Sequence, residues 1–474
     1  MAFRALVLAA GKGTRFRSEL PKVLHRILGK PMLWYVINSA LKAGAQEVVV
    51  VVGHKRELVE SFLREEFPFV KVAYQKEQLG TGHAVLVSRE LFKGYSGKVV
   101  VLNGDMPLIE PSSVKAVAEA EGDMAVLTAQ AQDPTGYGRV IREGEELLYI
   151  VEEKDASEKE KAIKEVNAGV YSFNSEKLFS LLERLGNDNA QGEYYLPDLV
   201  KLFKEEGLKV VAVKSNDFAS VMGVNNRYEL SVAEDLMRER IVKELQLNGI
   251  TIHNPKSVYI EPEVKIGRDT EIFGPAYIKG KTVIGERCFI GPYCEIRDSE
   301  IKDGARVESY TWMEGALIGE GASVGPFAKL RKGTVLKEKA KIGTFVETKN
   351  ALIEEGAKAN HLTYLGDCKV GKNTNVGAGT ITCNYDGFNK WFTEIGDNVF
   401  VGSSTLFIAP VKVGSGSITA AGSVITSDVP ENTLAVARSR QVNYVGKAER
   451  VREKARRKGL EHTRKDSRTQ EKGS

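Results

Sequence analysis

The feature that most constrains this chain is a beat of aliphatic residues spaced six apart. Ile266, Ile272, Ile278, Ile284, Ile290 and Ile296 fall in register without a break. After a slip the beat resumes at Ile301, Val307 and Met313, then at Ile318, Val324, Leu330, Leu336 and Ile342, with later runs at Val370, Val376, Ile395, Val401, Phe407, Val413, Ile418 and Val424. Glycine often follows the aliphatic residue, as at Gly267, Gly285, Gly291, Gly343, Gly371, Gly377, Gly396 and Gly402. Such a period fits neither a helix face nor one long strand. It predicts a parallel β-helix, each hexad giving one short strand and one tight corner. The aliphatic side chain points inward, the glycine is expected to let the backbone turn, and stacked coils bury a column that no single repeat could bury alone.

At 474 residues the chain exceeds one ordinary domain. Of its net charge of +4, residues 446–474 hold eleven Lys and Arg against five Asp and Glu, which leaves the remainder slightly acidic. The folded part therefore carries no nucleic-acid footprint, and residues 446–474 read as a basic, poorly ordered tail. Four cysteines (Cys288, Cys294, Cys368, Cys383) show no CxxC spacing, so a disulfide frame or zinc site is not expected and a reducing compartment is. No apolar run approaches 18 residues, and the first ten lack a small-residue cleavage site. The expectation is a cytoplasmic protein with no membrane insertion.

Phe3 to Ala10 is a strand-like run entering Gly11-Lys12-Gly13-Thr14-Arg15, the strand–glycine turn–helix order that cradles phosphates with backbone N–H groups. Phe16 stands where the dinucleotide fingerprint wants its third glycine, and the Walker spacing is absent. Strand-like runs at Val48–Val52 and Val99–Leu102, with helix-like segments between, argue for a doubly wound, Rossmann-like α/β domain whose ligands sit at the carboxyl ends of the strands. Asn103-Gly104-Asp105 closes the second of these runs, and Asp105 there is a natural Mg²⁺ ligand rather than a plain turn former. From Arg227 to Asn248 a helical stripe (Leu230, Ala233, Met237, Ile241, Leu245) reads as a connecting helix. The expected layout is therefore 1–226, a helix or linker at 227–249, a β-helix at 250–445 and the tail at 446–474.

The wider run Leu8-Ala9-Ala10-Gly11-Lys12-Gly13-Thr14-Arg15 with Pro21-Lys22-Val23-Leu24 resembles the signature of the sugar-1-phosphate nucleotidyltransferases. That resemblance implies that a nucleoside triphosphate and a sugar 1-phosphate react with release of pyrophosphate. Because the sugar phosphate is itself the nucleophile, positioning and charge neutralisation suffice, and Arg15 and Lys22 suit that task. Gln75 with Gly80-Thr81-Gly82-His83-Ala84 resembles the family's base-reading segment. Segments around Gly138, Glu152 and Asn167 resemble its sugar-holding segments, and Asn225 in Gly223-Val224-Asn225-Asn226 resembles its second metal ligand beside Asp105. Leu8, Ala9, Ala10, Gly11, Asn103 and Gly104 would complete that site.

The beat breaks at Cys383-Asn384-Tyr385-Asp386-Gly387-Phe388-Asn389-Lys390-Trp391, polar and aromatic within a regular column, shortly after Asn360-His361-Leu362-Thr363-Tyr364. Insertions into a solenoid often carry function. Of six histidines, His361 alone lies beside a repeat break with polar neighbours, and histidine is the natural base near neutral pH. Hexapeptide β-helices are the usual body of a trimer-forming acyltransferase family. The two halves together resemble the bifunctional transferases that acetylate glucosamine 1-phosphate from acetyl-CoA and then uridylylate the product with UTP, supplying peptidoglycan and lipopolysaccharide precursors. This implies a left-handed β-helix, a homotrimer and His361 as general base. It also implies sugar-phosphate contacts at Arg331, Lys349, Tyr364, Asn375 and Lys390, and acetyl-CoA contacts at Ala378, Asn384, Tyr385, Ser403, Ala421 and Arg438. The competing reading is a nucleotidyltransferase whose β-helix only oligomerises or regulates. A scaffold on two dead domains is weaker, because Lys22, Asp105 and His361 are all present.

Overall fold

The structure, a computed structural model, describes the backbone of residues 2–470 and side chains as far as residue 459. The chain divides into two compact units, Met1–Lys332 and Gly333–Ser474.

The first unit opens with a mixed nine-stranded sheet. Phe3–Ala9 lies at its centre, parallel to Ala45–Val52 on one side and to Lys98–Asn103 on the other. All three strands are almost continuously Val, Leu or Ala and buried on both faces, the composition a covered parallel sheet requires. Glu165–Asn174 runs antiparallel to Lys98–Asn103, and the hairpin Arg139–Glu143/Glu146–Val151 leaves the main path beside it. Since successive crossovers from the first strand go to opposite sides, the strand order reverses at its carboxyl end. A crevice opens there by construction.

An apolar cluster joins Phe16, Ile27, Leu28, Met32 and Tyr35 to Ala233 and Met237 of the expected connecting helix, which spans Arg227–Leu247. Asn226 caps that helix by accepting from the Glu229 N–H. The turn at Leu28-Gly29 (φ 42° and 81°) is pinned by carboxylates, with Glu234 accepting from the Leu28 N–H at 2.9 Å. Glu261 approaches so closely that a Cβ on Gly29 would lie 2.3 Å from its Oε1, and Lys30 pairs with Glu263. These contacts hold the segment that follows Lys22, and nothing in the hexad pattern announces them.

Both units carry parallel β-helix, as the hexads predict. In the first, Ala276↔Cys294, Ile278↔Ile296, Ile296↔Met313 and Met313↔Leu330 stack coil on coil, and these inward side chains are buried. In the second, Ala351↔Cys368, Val376↔Val401 and Ile395↔Val413 do the same. The role expected for the glycines needs correction. The residue at positive φ lies two positions after the glycine and is usually not glycine: Asp269 after Gly267, Arg287 after Gly285, Tyr293 after Gly291, Asn373 after Gly371, Ser404 after Gly402. The glycine itself is where adjacent coils touch. A Cβ on Gly371 would sit 2.3 Å from the Gly396 carbonyl carbon, and one on Gly402 2.5 Å from the Ala421 nitrogen. At these positions coil spacing, not turning, requires the missing side chain; Gly325, at φ 92°, is an exception that does turn.

From 446 onward the chain also departs from expectation. Lys447–Gln470 is an α-helix, and its described side chains are exposed. Lys, Arg, Glu and Ala are strong helix formers, so propensity rather than burial accounts for it. Residues 471–474 lie outside the described part.

If coil spacing is what the glycines provide, Gly402→Ala should cost about 1–3 kcal/mol of unfolding free energy through overpacking. Urea unfolding followed by circular dichroism would measure it. A variant as stable as wild type would show that the coils have slack there.

Candidate functional sites

A cleft of about 470 Å³ opens at the carboxyl end of the first strand. Leu8, Ala9, Ala10, Gly11, Lys22, Gln75, Gly80, Thr81, Asn103 and Asp105 line it. A second hollow of about 210 Å³ shares Leu8, Thr81, Asn103 and Asp105 with the cleft and adds Gly138, Glu152, Asn167 and Asn225. Fourteen of the residues expected from sequence thus face one connected space. Gly104 lines neither hollow; its N–H donates to the Leu8 carbonyl at 2.9 Å and fixes one strand end against the other. Arg15 lines neither, but its guanidinium donates to Asn225 Oδ1 at 2.9 Å.

The junction of the two hollows is charged. Lys22 Nζ donates to Asn225 Oδ1 at 2.7 Å and pairs with Asp105. Gly13, in the left-handed region at φ 58°, lets the glycine loop lie on the Lys22 stem, where a Cβ would come within 2.6 Å of Lys22 Cβ. Asp105 and Asn225 thus present two hard oxygens to one cation. Among the described residues no group of three or more His, Cys, Asp and Glu forms a metal cage. That donor set suits a divalent ion completed by substrate phosphates and water.

On the side of the larger cleft, Gln75 is buried and donates to the Gly80 carbonyl at 3.2 Å, with His83 Nδ1 at 3.0 Å. Gly80, at φ 106°, is met by the Tyr194 backbone, and Thr81 Oγ1 accepts from the Leu196 N–H at 3.0 Å. The Glu193–Leu196 segment, which also contributes Glu193 to the cleft and Leu196 to the second hollow, was missed in the sequence because it bears no motif. Lys12, Thr14 and Gln78 also line the cleft beyond the residues expected, while Tyr137 and Tyr171 line the second hollow.

On the other side, Asn167 donates to the Tyr171 hydroxyl at 2.6 Å and accepts from the Gly169 N–H at 3.0 Å, so its amide is oriented before any ligand arrives. A Cβ on Gly169 would strike Asn103 Nδ2 at 2.4 Å. Burial, with Asp198 and Asp155 nearby, pushes the Glu152 carboxyl up to about 7, and burial and Asp155 push Asp198 to about 6. Glu152 is therefore largely protonated on the acid side of neutrality and able to donate a hydrogen bond.

In the second unit the expected residues fall largely on successive coils of one corner. Thr344 pairs with His361, and the Leu362 carbonyl accepts from the Gly379 N–H. The Ala378 carbonyl accepts from Ser404, the Ser403 carbonyl from Gly422, and the Ala421 carbonyl from the Arg438 guanidinium at 2.6 Å. His361, Ala378, Ser403, Ala421 and Arg438 consequently form a column with His361 at one end, exposed to solvent. Lys349 and Tyr364 sit on neighbouring strands (Glu347–Ile353 and Tyr364–Val370), and Asn375 pairs with Phe400. The insert is a built loop. Asp386 accepts from the N–H groups of Asn389 (2.6 Å) and Phe388 (2.8 Å) and from Trp391 Nε1 (2.6 Å), which holds its carboxyl near 2. Tyr385 pairs with Lys390 across the loop, and Asn384 at its base bonds Asp367. Arg331 belongs to the first unit, where it follows the strand Lys329–Leu330.

Residues 4–224 match the family described as Nucleotidyl transferase, 255–353 the GMPPB C-terminal domain, and 392–427 the bacterial transferase hexapeptide with its six repeats. The chain is 49% identical over 447 residues to the Bifunctional protein GlmU of Thermus thermophilus, covering 94% of this chain and 98% of that protein. It is 49% identical over 457 residues to the protein of that name from Caldanaerobacter subterraneus subsp. tengcongensis, covering 95% and 99%. With that from Clostridioides difficile (strain 630) it shares 46% over 459 residues, covering 96% and 99%. The chain belongs to the GlmU family. It is a two-activity transferase, a nucleotidyltransferase and an N-acetyltransferase. No helix among the described residues is long and apolar enough to cross a membrane.

The raised Glu152 carboxyl has a consequence for stability. Between its ordinary 4.5 and about 7, an unfolded chain would already be ionised there while the folded one is not. The stability this contributes is present at low pH and lost as pH rises through about 7. Melting curves of Glu152→Gln against wild type should therefore diverge in favour of the variant between pH 5 and pH 8. Parallel curves would mean that the carboxyl ionises normally.

Proposed function

We propose that this chain carries out two consecutive steps of UDP-N-acetylglucosamine synthesis: acetyl transfer from acetyl-CoA to glucosamine 1-phosphate, then uridylyl transfer from UTP to N-acetylglucosamine 1-phosphate. The observation that carries the reading is the cluster of Lys22, Arg15, Asp105 and Asn225 at the junction of two hollows, one suited to a nucleotide and one to a sugar. Residues 1–226 form the uridylyl module, 227–249 the connecting helix, and 250–445 the acetyltransferase β-helix.

In uridylyl transfer a phosphate oxygen of the sugar attacks the α-phosphorus of UTP, and the bond to pyrophosphate breaks on the opposite side. No proton need move, so positioning and charge account for the catalysis. Lys22 and Arg15 neutralise phosphate oxygens at the junction, and the glycine loop offers backbone N–H groups to the triphosphate. Asp105 and Asn225 would hold Mg²⁺, which when bound supplies further neutralisation of the phosphates. Gly138, Glu152 and Asn167 orient the sugar.

In acetyl transfer the amine of glucosamine 1-phosphate attacks the thioester carbonyl, and coenzyme A leaves as thiolate. His361 takes the ammonium proton, and it lies at the end of the column where Ala378, Ser403 and Ala421 would seat the cofactor with Asn384, Tyr385 and Arg438. Lys349, Tyr364, Asn375 and Lys390 receive the sugar phosphate. We place the enzyme in the cytoplasm as a homotrimer whose chains share each acetyl site; a stable, active monomer in light scattering would oppose that assembly.

His361→Ala should lower coenzyme A release from acetyl-CoA and glucosamine 1-phosphate by about 100- to 10,000-fold. Pyrophosphate release from UTP and N-acetylglucosamine 1-phosphate should stay near wild type. No coenzyme A release from the wild-type chain would reduce the β-helix to a scaffold.

A further inference from the structure

We infer that Arg139 is a positioning residue for the sugar acceptor, a clamp that sets the two walls of the sugar hollow against each other. The inference rests on the reading above that this hollow takes the sugar 1-phosphate. Arg139 has the largest fully buried side chain among the described residues, 1% exposed, although it is a guanidinium. Burying an unpaired charge is prohibitive, so what it bonds matters. One terminal nitrogen donates to the Tyr137 carbonyl, Nε donates to the Lys161 carbonyl at 3.3 Å, and the other terminal nitrogen faces Glu153 Oε2 at 2.6 Å. That last contact is an ion pair rather than an aligned hydrogen bond, and Glu153 Oε2 has no other partner in the described structure.

These three acceptors bracket the residues that line the hollow. Tyr137 immediately precedes Gly138, and the Gly138 carbonyl accepts from the Asn167 N–H at 2.9 Å. Glu153 immediately follows Glu152, on a chain segment leaving the strand whose Val151 pairs with Arg139 itself. Glu152 and Glu153 begin a turn in which the Glu152 carbonyl accepts from the Asp155 and Ala156 N–H groups, each at 3.0 Å. Holding Glu153 therefore anchors the turn that carries Glu152, which lines the hollow and whose Oε1 would lie 3.1 Å from a Cβ on Gly138. A planar fork reaching three acceptors at once is a task for arginine; the single ammonium of lysine cannot span them.

The test is steady-state kinetics of Arg139→Lys, which keeps the charge and removes the fork. The KM for N-acetylglucosamine 1-phosphate at saturating UTP should rise about tenfold or more. The KM for UTP should stay near wild type, because the Gln75–Gly80 wall is untouched. A merely structural role would raise both KM values together, and that result, or an unmoved sugar KM in the folded variant, overturns the inference. Should Arg139→Lys fail to fold, Glu153→Gln decides by the same two readouts, since it weakens the clamp from its other end without changing volume. Asn167→Ala separates the levels of the argument. If it raises the sugar KM while the clamp variants do not, only the clamp is wrong; if it leaves that KM unmoved, the assignment of the hollow to the sugar falls too.

Discussion

One ammonium group ties the proposed nucleotidyl site together. Lys22 comes from the turn after the glycine loop, Asp105 from the end of a neighbouring strand, and Asn225 from 203 residues beyond Lys22, yet all three meet at one point. What brings them there is strand order. Because Phe3–Ala9 has Ala45–Val52 on one side and Lys98–Asn103 on the other, the loops leaving the first and third of these strands diverge and leave a crevice. Asn225 then arrives from the segment just before the long helix. That helix is locked to Phe16 and Leu28 by apolar packing and to the Leu28 N–H by Glu234. The charged cluster is thus as rigid as the packing beneath Lys22.

The β-helix solves a different problem with one repeated device. Its aliphatic beat was legible in the sequence because every coil buries the same position, so one rule generates many buried side chains. The six-residue beat also disclosed which residues are glycine, but not why. Sequence reading assigns glycine to turning because that is its commonest use, and a linear pattern carries no record of what the next coil brings alongside. Stacking supplies that information: the Gly371 Cα faces the Gly396 carbonyl and the Gly402 Cα faces the Ala421 nitrogen. The turns are made instead by Asp, Asn, Arg, Tyr and Ser in the left-handed region, at a strain that the stack repays.

The sites were legible to different depths for a related reason. The residues proposed to meet phosphate or metal sit in short local motifs, since a glycine loop or a strand-ending Asp works through its immediate neighbours. Lys22 and Asp105 could therefore be singled out one motif at a time, whereas Asn225 was named through the family resemblance alone. The walls that hold them are non-local. Tyr194 closing on Gly80, Glu261 on Gly29, and Arg139 reaching the Lys161 carbonyl each bring in a partner that no motif announces. The segment from Lys447 was misread for the opposite reason: high charge suggests a solvated coil, yet the same Lys, Arg, Glu and Ala residues favour helix.

The two adjoining hollows are electrostatically unlike, and the proposed reaction calls for that difference. At their junction two phosphate groups would have to approach each other against their own repulsion, and two cations, Lys22 and Arg15, stand there. A few residues away the chain does the reverse. Burial and the neighbouring Asp198 and Asp155 push the Glu152 carboxyl up to about 7, so on the acid side of neutrality it offers a hydrogen bond rather than a charge to the sugar proposed for that hollow. Protonating Glu152 removes one negative charge from the lining of the second hollow, and so leaves more of the Lys22 and Arg15 charge for the phosphates proposed to meet at the junction.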